Sequence, residues 1–256
     1  MKYLLGLAVL YLCLLNTANA QIIEDPVRQR QIPVEISAPT HQAVCNAKQP
    51  CPVAFVSAGY GMGHTQYRFA TDTLNQLGYL TVAIAHELPQ DPPLSVTGNL
   101  YQTRSENWRR GAATLAFMRT ALQEQYPNYD FDSLLLFGHS NGGDISAWLA
   151  NEGQPYIKTV ITLDNRRVPL PRSETIGVLS IRGSDFPADD GVLPSAAEQT
   201  RFGSCVVQIP AARHNDMADV GPAALKQTMT LLLVNYLQGA SCTVLEPLVQ
   251  ASSSQG

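Results

Sequence analysis

The chain has 256 residues, with 17 Lys and Arg against 21 Asp and Glu, for a net charge of −4. No basic block stands out. The pairs Arg109–Arg110 and Arg166–Arg167 are too few for a nucleic-acid footprint, so that class of partner is excluded. The length suits one α/β domain able to bury a sizeable core.

Met1-Lys2 is followed by an apolar run from Tyr3 to Leu15 and then by Ala18-Asn19-Ala20. One cation, an apolar run too short to span a bilayer and a small-x-small site predict a secretory signal peptide over residues 1–20. The mature chain is then expected to start at Gln21 and to have no stable membrane insertion. Residues 21–31 read as an exposed lead-in. The strand candidates that follow are 33–37, 53–57, 80–85, 134–137, 158–163, 176–181 and 205–209. They are rich in β-branched residues and lack polar alternation, as strands buried on both faces do. Helical patterns lie between them, over 65–77, 106–126, 142–151 and 222–237. Strand–helix alternation of this kind predicts an α/β fold, with a mostly parallel central sheet and helices on both faces. A single domain over 21–240 is expected, with 241–256 as a tail disordered at its end. The stretch 87–103 is rich in Pro, Gly and Asp and reads as a long loop. It follows a strand, so it should overhang the carboxyl edge of the sheet, where such folds place ligands.

Four cysteines remain after the predicted cleavage: Cys45, Cys51, Cys205 and Cys242. Four cysteines allow three connectivities, and an oxidising compartment favours disulfides over free thiols. Cys45 and Cys51 flank a short segment. Cys205 opens a strand and Cys242 follows a helix. The pairs Cys45–Cys51 and Cys205–Cys242 are therefore expected.

The chemistry centres on Gly138-His139-Ser140-Asn141-Gly142. An apolar strand precedes this Gly-x-Ser-x-Gly motif and a helical pattern follows it, which is the strand–turn–helix of a nucleophile elbow. Ser140 is the expected nucleophile. In such folds the order along the chain is nucleophile, acid, histidine, and one histidine follows Ser140, namely His214. Three acids compete. Asp185 lies nearest the end of the 176–181 strand and is preferred; Asp189 is the runner-up, and Asp164, one strand earlier, is the third. An oxyanion hole needs two backbone N–H groups. Asn141 should supply one, and the glycine-rich segment 58–64 the other, through Tyr60 or else Gly61. His64 could contact substrate or simply start a helix, and His139 should pack beside the elbow. His41 and His86 have no metal-like spacing, so neither a catalytic metal nor a cofactor is expected.

Together, Gly-His-Ser-Asn-Gly-Gly-Asp at 138–144, Val-Ser-Ala-Gly-Tyr-Gly at 56–61 and His-Asn-Asp-Met at 214–217 resemble the α/β-hydrolase superfamily. The lead-in from Asp25 to Pro39 is similar to that of bacterial dienelactone-hydrolase-like and platelet-activating-factor-acetylhydrolase-like esterases. The resemblance runs from about Asp25 to Gly239. It implies a serine hydrolase, a carboxylic-ester hydrolase first and an amidase or peptidase second, acting on a small-molecule ester. Two departures stand out. Ala58-Gly59 replaces a common His-Gly at the oxyanion loop, and a serine stands where dienelactone hydrolases proper use cysteine. No large cap domain fits between Leu163 and Ile176. Arg166 and Arg167 in that interval could meet an anionic group, though ordinary salt bridges are the simpler role. A non-catalytic binding protein on the same scaffold is the rival reading.

Overall fold

The computed structural model describes residues 18–40 and 44–253. Most of the predicted signal peptide, and His41, lie outside these residues. Eight strands form one sheet: β1 (Asn19–Asp25), β2 (Arg30–Ser37), β3 (Cys51–Ser57), β4 (Leu80–Ile84), β5 (Tyr129–His139), β6 (Ile157–Leu163), β7 (Gly177–Arg182) and β8 (Cys205–Gln208). Their spatial order is β1-β2-β4-β3-β5-β6-β7-β8. The β1–β2 and β2–β4 pairs are antiparallel, and every pair from β4 through β8 is parallel.

Among the described residues six α-helices accompany the sheet: α1 (Arg68–Gln76), α2 (Leu100–Gln123), α3 (Asn141–Asn151), α4 (Ala196–Phe202), α5 (Ala223–Leu237) and α6 (Cys242–Ser253). One layer of the core joins Trp108, Leu115 and Met118 of α2 and Ile145 of α3 to Val53, Phe55 and Leu136 of the sheet. The other joins Leu74 of α1, Met229 and Leu232 of α5 and Leu245 of α6 to Val56, Phe137 and Leu179. Alternate residues of β3 and β5 therefore feed opposite layers, which is why these strands read as unbroken apolar runs. Among the described residues no helix is long and apolar enough to cross a membrane.

Several boundaries differ from the sequence reading, each for a local reason. The expected lead-in is β1 and the start of β2, an antiparallel pair at the sheet edge whose exposed side chains hide the strand pattern. α2 begins six residues before the expected start, because the Asn99 side chain accepts the Gln102 N–H and caps a polar first turn. α4 has no buried residue and so no apolar periodicity. A capping box between Ser195 and Glu198 and a left-handed Gly203 define it instead. The expected tail is α6, which buries Leu245 and Val249 despite Pro247.

Both cysteine pairs are bridged, Cys45 to Cys51 and Cys205 to Cys242. The second ties edge strand β8 to α6 across 37 residues of sequence. On the chain-entropy model, closing a loop of that length stabilises the fold by about 4 kcal/mol. Replacing Cys205 and Cys242 together by Ser should lower the urea midpoint accordingly. Replacing Cys45 and Cys51 should cost clearly less, since that loop spans only 6 residues. Equal losses from the two double variants would contradict this account.

Candidate active site

β5 delivers the chain to Ser140, and α3 takes it away at once. Ser140 has φ 51° and ψ −117°, a conformation rarely adopted by residues other than glycine. The turn is so tight that a Cβ at Gly138 would strike the backbone of Gly142, and one at Gly142 would strike the carbonyl of Ser57 on β3. Those two positions must lack side chains, so the glycines flanking the serine follow from geometry.

The Ser140 Oγ lies 3.0 Å from His214 Nε2. The other ring nitrogen, Nδ1, lies 3.2 Å from Oδ2 of Asp164, which is wholly buried. With Nδ1–H donating to the carboxylate, Nε2 is free to accept the serine proton. Thus Ser140, His214 and Asp164 converge, and Asp185 and Asp189 do not join them. This corrects the expected acid. Asp185 instead accepts the backbone N–H of His214 at 2.7 Å and lies 4.0 Å from Arg213. Asp189 faces Arg166 at 3.3 Å and Arg167 at 3.9 Å. The reason lies in the path of the base. Its chain leaves the sheet after β8, but the 209–214 segment turns back over β7. Ser184 N–H donates to the Ala212 carbonyl at 2.8 Å along the way. The imidazole therefore sits above β5 and β6, where the acid at the end of β6 is the one within reach. Asp164 itself has φ 50°, which aims its side chain at the ring.

Two rings contact the imidazole. Phe186 stacks on it at 3.7 Å between centroids and 21° between planes. His139 lies on it at 4.7 Å. His139 is buried, and that burial holds its imidazole down at about 3, so it stays neutral. Its Nε2–H donates to the His214 carbonyl at 3.1 Å, and its Nδ1 accepts the Tyr67 hydroxyl at 2.7 Å. Tyr67 in turn accepts the Gly59 N–H at 3.1 Å, linking the base to the glycine-rich loop.

That loop makes a turn from Gly59 to Met62, with Gly61 at φ 77°. Tyr60 is half-exposed, and its hydroxyl accepts the Leu94 N–H at 3.0 Å, which straps the 88–98 segment over the site. Asn141 opens α3, so its N–H is one of those a helix start leaves without a partner inside the helix. Its side chain is locked from three sides. Oδ1 accepts the Trp108 indole N–H at 2.9 Å; Nδ2 donates to Asn107 Oδ1 at 2.9 Å and to Glu87 Oε1 at 3.3 Å. Burial raises the Glu87 carboxyl above the usual range, while Asn107 and Arg110 oppose the rise. A cleft of about 160 Å³ beside this loop is lined by Gly59, Met62, His64, Ile84, His86 and Glu87. His86 is buried and hydrogen-bonded to Ser57 at 2.9 Å. Burial, with Arg30 and Arg110 nearby, holds it down at about 3. Among the described residues no cluster of His, Cys, Asp and Glu is placed to hold a metal ion.

Sequence reasoning missed Glu87, Asn107, Trp108, Phe186 and Arg182. Only Arg182 left a trace, as a cation ending an otherwise apolar strand. The interval between β6 and β7 contains no helix among the described residues; Arg166 and Arg167 face Asp189, Arg166 also lies over the Phe186 ring at 4.6 Å, and Arg172 donates to the Val192 and Leu193 carbonyls.

No family model matches the sequence, and no curated protein matches it. Solved structures do match. The chain is similar to Thermogutta terrifontis esterase 2 phosphorylated by paraoxon, at 14% identity and TM-score 0.59, over 86% of this chain and 92% of that one. It is similar to a dienelactone hydrolase from Anabaena variabilis at 14% identity and TM-score 0.57, over 88% and 99%. It is similar to the dienelactone hydrolase-like promiscuous phosphotriesterase P91 from metagenomic libraries at 19% identity and TM-score 0.59, over 91% and 99%. The chain has the α/β-hydrolase fold.

The loop after Asp164 depends on a second buried carboxylate. Asp144, in the first turn of α3, accepts the N–H groups of Arg166, Arg167 and Val168 on one oxygen, at 2.9–3.2 Å. Burial pushes its carboxyl up to about 6 from 3.8, against the pull of those three donors. The folded state therefore binds this proton more readily than the unfolded state, and stability declines as pH rises from about 4 to about 6. Asp144→Asn keeps an oxygen acceptor and removes the titration. Urea unfolding between those pH values should show the variant losing less stability than wild type, by about 2–3 kcal/mol. Parallel slopes in the two proteins would refute the assignment.

Proposed function

We propose that this protein is an exported serine hydrolase acting on carboxylic esters through an acyl-enzyme on Ser140. One observation carries the reading: the continuous line from Ser140 Oγ through both nitrogens of His214 to Asp164. The apolar N-terminal run ending in Ala18-Asn19-Ala20 and the two disulfides support export.

In the proposed reaction, Ser140 Oγ attacks the ester carbonyl while His214 Nε2 takes its proton. Asp164 holds the Nδ1–H tautomer and stabilises the imidazolium that forms. The N–H groups of Asn141 and Tyr60 receive the negative charge that develops on the carbonyl oxygen. The imidazolium then returns its proton to the leaving alkoxide, giving the alcohol and an acyl-Ser140. Water attacks that ester with His214 again as base, and the carboxylic acid leaves. A panel of p-nitrophenyl esters of varied chain length is the first set of substrates to test.

A fluorophosphonate probe should add to Ser140 in the wild type, as read by peptide mass spectrometry. Ser140→Ala should lose both labelling and p-nitrophenyl acetate hydrolysis while keeping its circular dichroism. Retained turnover in clean Ser140→Ala protein would overturn the reading.

Asp164→Asn should lower kcat by about 10⁴, the loss expected when an amide fixes the imidazole in the wrong tautomer. Asp185→Asn retains an acceptor for the His214 N–H and should cost far less; Asp189→Asn, on the far side of Arg166, should cost little. A crippled Asp185→Asn beside an active Asp164→Asn would reverse the roles of the two acids.

A further inference from the structure

Beneath the three converging side chains lies a buried cation. Arg182 ends β7 and is 4% exposed. Its Nε lies 3.4 Å from Asp164 Oδ1. One terminal nitrogen donates to the Asn165 carbonyl at 2.6 Å, and the other donates to the Phe186 carbonyl at 2.9 Å. One guanidinium thus touches the acid, the residue after the acid, and the residue whose ring stacks on the base.

We propose that Arg182 is a positioning residue of the triad, fixing Asp164 and Phe186 around His214. This inference rests on the Ser140–His214–Asp164 reading.

The hydrogen bonds make the case for position. Asp164 Oδ1 accepts the Gly183 N–H at 2.8 Å and faces Arg182, which leaves Oδ2 for His214. The Gly183 donor and the Arg182 charge beside one oxygen resist rotation of the carboxylate, so the other oxygen stays aimed at Nδ1. The bond to the Phe186 carbonyl sets the backbone that presses this ring on the imidazole. Stability alone would not select such a residue. Burying an ion costs several kcal/mol before its partners compensate, and apolar replacements of buried ion pairs are often neutral or stabilising.

The test compares wild type with Arg182→Lys, Arg182→Gln and Arg182→Met. Each protein is titrated with a fluorophosphonate, and kcat/KM for p-nitrophenyl acetate is followed against pH per titrated site. The neutral variants should lower kcat per titrated site about tenfold or more at every pH, with KM little changed. Arg182→Lys, which keeps a cationic donor but loses the fork, should recover part of that loss. If every folded variant turns over like wild type per titrated site and loses only titratable sites, Arg182 is purely structural and the inference is overturned. If wild type itself is not labelled at Ser140, the triad reading fails, and this inference fails with it.

Discussion

The candidate base stands over one part of the sheet while its chain is anchored over another. His214 leaves the sheet after β8, yet its ring meets groups at the ends of β5 and β6. Neighbours on several sides maintain that reach. Asp185 holds its backbone N–H, His139 holds its carbonyl, and the rings of Phe186 and His139 contact its ring. An imidazole fixed at backbone and ring has little rotamer freedom left to lose when a substrate arrives. That is the form of preorganisation a proton-transfer group needs.

The same constraint explains where strain is kept. Ser140 and Asp164 both sit at positive φ, each at the carboxyl end of a parallel strand. Such conformations cost roughly 1–3 kcal/mol each and persist only where surrounding packing enforces them. Here the enforcement is visible. The Ser140 N–H donates to the Leu163 carbonyl and the Asp164 N–H to the Ile181 carbonyl, so each strained residue is bonded to the next strand. The buried runs of β5, β6 and β7 hold those strands in register, and this is how an apolar core reaches the chemistry at its edge.

Polar groups around the site are buried in connected sets. Asn141, Asn107, Glu87 and Trp108 form one, and Tyr67, His139 and the Gly59 N–H form another. Each set links an expected oxyanion donor to a distant element: Asn141 to α2, and the 58–63 loop to β5. Burial makes these bonds costly to break, because an unpaired polar group there has no water to turn to. Rigidity at the site therefore comes from polar networks as much as from apolar packing.

By itself the sequence determined the layers, the elbow and the candidate base, since these leave local marks. Buried parallel strands read as apolar runs, and a tight strand–helix turn demands glycines at 138 and 142. Both disulfide pairs were legible from cysteine spacing and the expectation of an oxidising compartment. Marks of this kind are absent where a strand lies at an exposed edge, as in β1, or where caps alone define a helix, as in α4. Which of three candidate aspartates meets the His214 imidazole could not be read. Asp164, Asp185 and Asp189 each follow a strand, and proximity in sequence favoured Asp185. Only the tertiary structure decided among them, because the choice depends on how far the chain after β8 folds back across β7 before presenting its imidazole. That path is set by contacts between residues dozens of positions apart, such as Asp185 with His214 and Ser184 with Ala212, and no local pattern records them.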